Sequence, residues 1–200
     1  MVEVRLIFLS VDTIKKNIDN ITGFIDNTSL KKAYSYKKEN DFLLSLGSEY
    51  LKKKYIGEYT LSKYGKPISN NYFFSISHSF EYVGIAINND YPIGLDIENM
   101  TQNIDGDVIY FCLSNYELTF LKENDFLSQF VSKESLAKAY GMGLLNEIKD
   151  IPSLPISGFT NYMGKKYYRQ MGTMNDYYYS ISLEGDDFII NVETLNNIEF

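Results

Sequence analysis

One nine-residue stretch, Tyr91-Pro-Ile-Gly-Leu-Asp-Ile-Glu-Asn99, constrains the chain more than any other. Ile93, Leu95 and Ile97 alternate with Gly94, Asp96 and Glu98. Alternation of period two marks a β-strand that buries one face. The other face then carries two carboxylates, rooted roughly 6–7 Å apart on one side of the strand. Like charges held that close call for a positive partner. A hard divalent cation such as Mg²⁺ takes oxygen ligands, and often binds one or two carboxylates together with substrate phosphates. The plainer reading is a solvated strand face ending in a turn. Asp-x-Glu alone is too short a pattern to decide between the two.

Length and charge narrow the surroundings. At 200 residues with 44% hydrophobic content, the chain is long enough for a real core, in one large domain or two small ones. A formal net charge of -7 argues against a nucleic-acid partner held by bulk electrostatics. The single cysteine, Cys112, forms no internal disulfide, which suits a reducing, cytoplasmic setting. The apolar run Leu6-Ile-Phe-Leu9 is too short for a signal peptide or a membrane span.

In chain order, Val2 to Val11 reads as a strand, and Asp12 or Thr13 is placed to cap a short helix. Lysines 31, 32, 37 and 38 form a basic segment. A helix is expected from about Asp41 to Tyr55, with Lys52, Lys53 and Lys54 suiting the dipole of its last turn. Gly65 and Pro67 mark a loop. Strands at Tyr72–Ser77 and Tyr82–Ile87, followed by the Asp96/Glu98 strand, imply a three-stranded meander. Ser114-Asn-Tyr-Glu117 has the form of a capping box. A second helix is expected from Asp125 to Tyr140, stopped by Gly141. Later strands fall at Phe159–Tyr168, Tyr177–Leu183 and Phe188–Val192. The order β, α, β-meander, α, β-meander implies an α+β fold.

On the second helix, Ser128, Ser132 and Ser135 form a polar arc opposite Phe126, Leu127, Phe130, Val131, Ala137 and Tyr140. Glu134 projects into the apolar arc, with Lys138 one turn beyond and Lys133 beside Phe126. A surface Glu–Lys pair is worth only ~0.3–0.5 kcal/mol. It does not explain why a carboxylate faces inward; a site shared with Asp96 and Glu98 does. His78, the only histidine, lies between Ser77 and Ser79 at a strand end. It is either a structural side chain or a phosphate contact.

Taken together, Gly65-Lys-Pro67, Phe74-Ser-Ile-Ser-His-Ser79, Ile93-Gly-Leu-Asp-Ile-Glu98, Ser114-x-x-Glu117, Lys133-Glu134, Lys138 and Gly141-Met-Gly-Leu144 resemble the 4'-phosphopantetheinyl transferases of the surfactin type. The resemblance covers roughly residues 47 to 144. It implies two similar α+β halves, here residues 1–95 and 96–200, with coenzyme A bound between them. It implies transfer of the phosphopantetheine arm to a serine of an acyl or peptidyl carrier protein, in the presence of Mg²⁺ or its substitute Mn²⁺, with release of adenosine 3',5'-bisphosphate. Asp96, Glu98 and Glu134 match the metal carboxylates, and Lys138 the active-site lysine. Lys52, Lys66, Ser77, His78 and Lys133 fall on the coenzyme side. Lys52 stands where arginine is common and Phe130 where tryptophan is; the first change keeps the charge but loses the bidentate fork. Glu134, or less directly Glu117, is a candidate proton acceptor for the serine. As the third residue of a capping box, Glu117 is equally a stability residue, and on that account Glu117→Gln is expected to be nearly silent. A metal-dependent phosphohydrolase and an inactive coenzyme A-binding protein are the competing readings.

Overall fold

The structure, a computed structural model, describes residues 2–122, 125–141 and 148–198. Residues 142–144 of the glycine-containing motif lie outside the described residues. The chain is a mixed α+β protein. Its elements are β1 (Val2–Ser10), α1 (Val11–Lys16), α2 (Ile18–Phe24), α3 (Asn27–Tyr34), α4 (Glu39–Tyr55), β2 (Thr60–Leu61), β3 (Pro67–Ile68), β4 (Phe73–Ser79), β5 (Tyr82–Asn88) and β6 (Ile93–Asn99). They continue as α5 (Gly106–Cys112), α6 (Asn115–Leu118), α7 (Phe126–Tyr140), a 3-10 turn (Ile148–Asp150), β7 (Gly158–Tyr162), β8 (Lys165–Met174), β9 (Tyr177–Glu184) and β10 (Phe188–Leu195).

Two four-stranded sheets organise the molecule, in the orders β10-β1-β5-β4 and β6-β9-β8-β7. The expected meander therefore breaks after its second strand. β5 pairs with β4, whereas β6 pairs antiparallel with β9, Ile93 opposite Leu183 and Asn99 opposite Tyr177. The division expected between residues 95 and 96 falls inside β6, and β10 returns to run parallel to β1 in the first sheet. One core packs α1, α2 and α4 on the first sheet; another fills the space between the two sheets with Leu6, Phe8, Ile93, Leu95 and Ile97. No helix among the described residues is long and apolar enough to cross a membrane.

Local chemistry sets the helix ends. Ser10, not Asp12 or Thr13, caps α1, its hydroxyl accepting from the Thr13 amide. Asp125 caps α7 through the Ser128 amide, and Gly141 ends it with φ +93°, the left-handed position that favours glycine. The serine arc of α7 is not wet. Ser132 and Ser135 are fully buried; Ser132 donates to the Ser153 carbonyl (2.7 Å), and Ser135 bonds the hydroxyls of Ser180 (2.9 Å) and Ser182 (2.8 Å) on β9. The helix is thus buried nearly all round, and its serines are the satisfied polar groups such a position demands.

The second face of β6 is covered as well. α7 lies directly on Gly94: a Cβ there would overlap the Ser135 carbonyl oxygen and the Ala139 amide nitrogen. Both are backbone atoms of a packed helix and cannot yield by a side-chain rotation. Gly94→Ala is expected to push α7 off β6 and to destabilise by about 1–3 kcal/mol. Urea denaturation checks this, and an unchanged midpoint would show that the helix does not need this closeness.

Candidate active site

β6 presents Asp96 and Glu98 towards β4 on one side and α7 on the other. Ser77 and Ser79 reach them from β4. The Ser77 hydroxyl donates to Asp96 Oδ1 (2.9 Å) and the Ser79 hydroxyl to Glu98 Oε2 (2.8 Å). The Gln102 amide adds a second bond to Glu98 Oε2 (2.6 Å). From α7, Lys138 Nζ donates to Asp96 Oδ1 (2.6 Å) and to the Ser77 hydroxyl (3.1 Å). Three elements distant in sequence thus meet on one carboxylate oxygen.

Ser77, Asp96, Glu98 and Lys138 line a cleft of about 370 Å³ with Lys32, Ser48, Lys52, Ile76, His78, Phe130 and Glu134. Seven of the residues expected at a site are therefore brought together: Lys52, Ser77, His78, Asp96, Glu98, Glu134 and Lys138. Lys32 joins them; its place in a basic run was the one sequence signal for it.

The acids of the cleft strain against one another. Burial and then the charge of Asp96 push the Glu134 carboxyl up to about 7, although Lys138 opposes the rise. Glu98 is raised for the same two reasons. His78 sits at the solvent edge of the cleft, yet surrounding protein and then the Lys138 charge lower its pKa, so the imidazole is neutral at pH 7. The stability consequence for Glu134 has a definite sign. Its carboxyl binds its proton more tightly in the folded chain than at the ordinary value of 4.5, so folding stability falls as pH rises from there towards 7. Glu134→Gln, in EDTA, is therefore expected to stabilise the protein at pH 8 by on the order of 1–3 kcal/mol and to change little at pH 4. Melting at the two pH values tests it; an equal shift at both would show that Glu134 is not held under this tension.

Asp96, Glu98 and Glu134 supply an all-oxygen donor set suited to a hard divalent cation. Asp96 is 4% exposed, and its Oδ2 has no hydrogen-bond partner, an open acceptor where burial normally demands one. Among the described residues no three acidic, histidine or cysteine side chains already stand as a cation cage. Mg²⁺ does not require one: it keeps several waters and takes one or two carboxylates plus phosphate oxygens. The donor set fits such an ion as an open wall.

Four expectations need revision or qualification. Lys133 does not face the cleft. It is fully buried, and its ammonium bonds Glu117 Oε2 (2.8 Å), the Ile148 carbonyl (3.2 Å) and the Ile151 carbonyl. These three acceptors use all three of its donors, leaving none for a coenzyme. Glu117 lies with it, away from the cleft. Its Oε2 accepts from the Ser114 amide (2.8 Å), closing the capping box, while Oε1 accepts from the Ser153 amide (2.7 Å). A carboxylate so engaged has no open lone pair aimed at a nucleophile. Lys66 turns its ammonium onto the backbone carbonyls of Ile93, Lys138 and Ala139. Lys52 does line the cleft, but its ammonium is already paired with Glu49 (2.8 Å) and bonded to the Tyr59 hydroxyl (2.9 Å). Lys32 reaches the same Glu49 oxygen (3.0 Å), so Glu49 competes with any phosphate for both cations. Glu49 is 3% exposed, and neither its glutamate identity nor its position in α4 distinguished it in the sequence from a surface acid.

Comparison with known proteins adds no identification: no protein-family model matches the chain, and no curated protein matches it.

Proposed function

We propose that the protein transfers the 4'-phosphopantetheine group of coenzyme A to a serine hydroxyl of an acyl or peptidyl carrier protein in an Mg²⁺-dependent reaction, releasing adenosine 3',5'-bisphosphate. The observation that carries this reading is the meeting of Ser77, Asp96 and Lys138 from three separate elements, in one cleft with Glu98, Glu134 and His78. A family of isolated motifs in the sequence becomes one constellation in space.

Sheet order supports the same reading. In the first sheet the opening strand β1 pairs antiparallel with β5, which pairs with β4. In the second, the opening strand β6 pairs antiparallel with β9, which pairs with β8. Each sheet carries a long helix, α4 and α7, inserted after its opening strand. We read this as two similar halves, with the cleft where they meet.

The chemistry follows from charge. Cutting the pyrophosphate bond of coenzyme A builds negative charge on the departing nucleotide phosphate, and a fixed cation in a shielded cleft stabilises it. Mg²⁺ on Asp96, Glu98 and Glu134 would neutralise the pyrophosphate oxygens. Lys138, held by Asp96 and Ser77, stands ready at the same place with no reorganisation needed. Glu134 is a candidate acceptor for the serine proton; its carboxyl stands at about 7 only in the cation-free cleft, and a bound Mg²⁺ would draw it back down. His78 offers a neutral donor to phosphate oxygens, whereas the one Ser77 proton is spent on Asp96.

Incubation with coenzyme A, Mg²⁺ and several purified carrier proteins tests the reading. A phosphopantetheine mass gain on a carrier supports it. Free phosphopantetheine with no carrier modification would mean hydrolysis, and no turnover across all carriers would refute transfer.

A further inference from the structure

We propose that Lys66 is a positioning residue: its ammonium staples the C-terminal end of α7 to the start of β6 and thereby fixes where Lys138 stands over Asp96. Lys66 Nζ donates to the carbonyls of Lys138 (2.6 Å), Ala139 (3.3 Å) and Ile93 (3.3 Å). An ammonium has three donors, and all three are engaged. Two of the acceptors belong to the last turn of α7, whose carbonyls have no partner within the helix. A cation at that end also meets the negative pole of the helix dipole. The third acceptor is the first residue of β6. One side chain therefore ties the helix that carries Glu134 and Lys138 to the strand that carries Asp96 and Glu98.

Lys138 is consequently gripped twice, its carbonyl by Lys66 and its ammonium by Asp96 and Ser77. The contact acts at the same end of α7 that rests on Gly94. The hairpin that presents Lys66 is built for it. Its amide donates to the Ser62 hydroxyl (3.0 Å), its carbonyl accepts from the Ser62 amide (2.8 Å), and Gly65 turns the chain with φ +80°. Burial lowers the Lys66 pKa to about 8, which leaves the ammonium form in the majority at pH 7. With every donor spent on backbone, the ammonium has none for a nucleotide phosphate.

The catalytic half of this inference rests on the proposed transfer; the staple does not. The test compares wild type with Lys66→Met, Lys66→Gln and Lys66→Arg. Amide hydrogen exchange on the protein alone is expected to speed at least about tenfold over residues 138–141 in Lys66→Met, and less in Lys66→Gln, which keeps two donors. Unchanged exchange in both would overturn the staple. If Lys66→Met fails to fold, Lys66→Gln carries the same comparison. In steady-state transfer, kcat is expected to fall about tenfold or more in Lys66→Met, because small misplacements of a charged group cost rate. KM for coenzyme A should stay within about twofold, and Lys66→Arg should recover part of the rate. A raised KM with unchanged kcat would mark a nucleotide contact and overturn positioning. If wild type transfers nothing to any carrier, the functional reading fails while the exchange result still decides the staple.

Discussion

Asp96→Asn is expected to lower phosphopantetheine transfer by at least about 10²–10³-fold while leaving a cooperatively folding protein. The substitution keeps size and shape, so the packing of β6 against β4 and α7 is retained. What changes is charge. Oδ1 still accepts from Ser77 and from Lys138 in the asparagine, but without the negative charge that now holds the ammonium at 2.6 Å. The position of Oδ2, buried and without a partner, would hold an NH₂ group that cannot ligate a cation. Asp96 is also the second cause, after burial, of the raised Glu134 and Glu98 carboxyls. Removing it should bring the Glu134 titration of the cation-free protein below about 7, and on the proposed reading the variant loses a cation ligand together with the tether on Lys138. Carrier modification measures the rate, and carboxyl ¹³C NMR the titration. A variant within tenfold of wild type would remove Asp96 from the active site, and with it the reading built on this cleft.

Much of the site was legible because its residues sit at short, regular spacings. Asp96 and Glu98 are two apart on a strand, Glu134 and Lys138 one turn apart on a helix, and Ser77 and His78 adjacent. Spacing within one element fixes direction, and direction was read correctly for Glu134, which does face the strand side. The readings that failed depended on what lies across from a side chain. The arc of Ser128, Ser132 and Ser135 has the composition of a wet surface. β9 and the segment after Ile148 cover it, and those arrive from residues far along the chain. Lys133 and Glu134 are sequence neighbours but point about 100° apart on a helix, so one meets the buried Glu117 and the other the cleft. The meander misread has the same origin. Short turns favour antiparallel neighbours, yet β6 finds its partner in β9, some eighty positions on. The parallel return of β10 to β1 has no local signature at all. α5 went unseen because Val108 to Leu113 is apolar at every position, so no helical period separates the buried Cys112 and Leu113 from the exposed Val108, Tyr110 and Phe111.

Glu117 and Lys133 carry the second large expected effect, and it falls on stability. Lys133→Met should destabilise by about 3–5 kcal/mol, because it leaves the buried Glu117 carboxylate without its cation and frees the Ile148 and Ile151 carbonyls. Glu117→Gln should also be clearly destabilising, against the expectation from the capping box alone. Each Glu117 oxygen accepts in the fold: Oε2 from the Ser114 amide and Lys133, Oε1 from the Ser153 amide. A glutamine must turn an NH₂ donor towards one of those donors. The pH dependence separates the accounts further. Burial works to raise the Glu117 pKa, but the Lys133 ammonium and the Ser153 and Ser114 amides outweigh it and hold the carboxyl below its ordinary 4.5. A lowered carboxyl contributes stability that is present above that value and lost as pH falls below it. Wild type and Glu117→Gln should therefore differ most above pH 5 and converge in acid. The double variant should be less damaging than the sum of the singles by about 0.5–3 kcal/mol, since each single strands the other's charge. Transfer per folded molecule should stay near wild type in Glu117→Gln. A glutamine variant that melts normally but transfers more than about 10²-fold slower would instead place Glu117 in the chemistry and require the 114–118 segment to rearrange when coenzyme A binds.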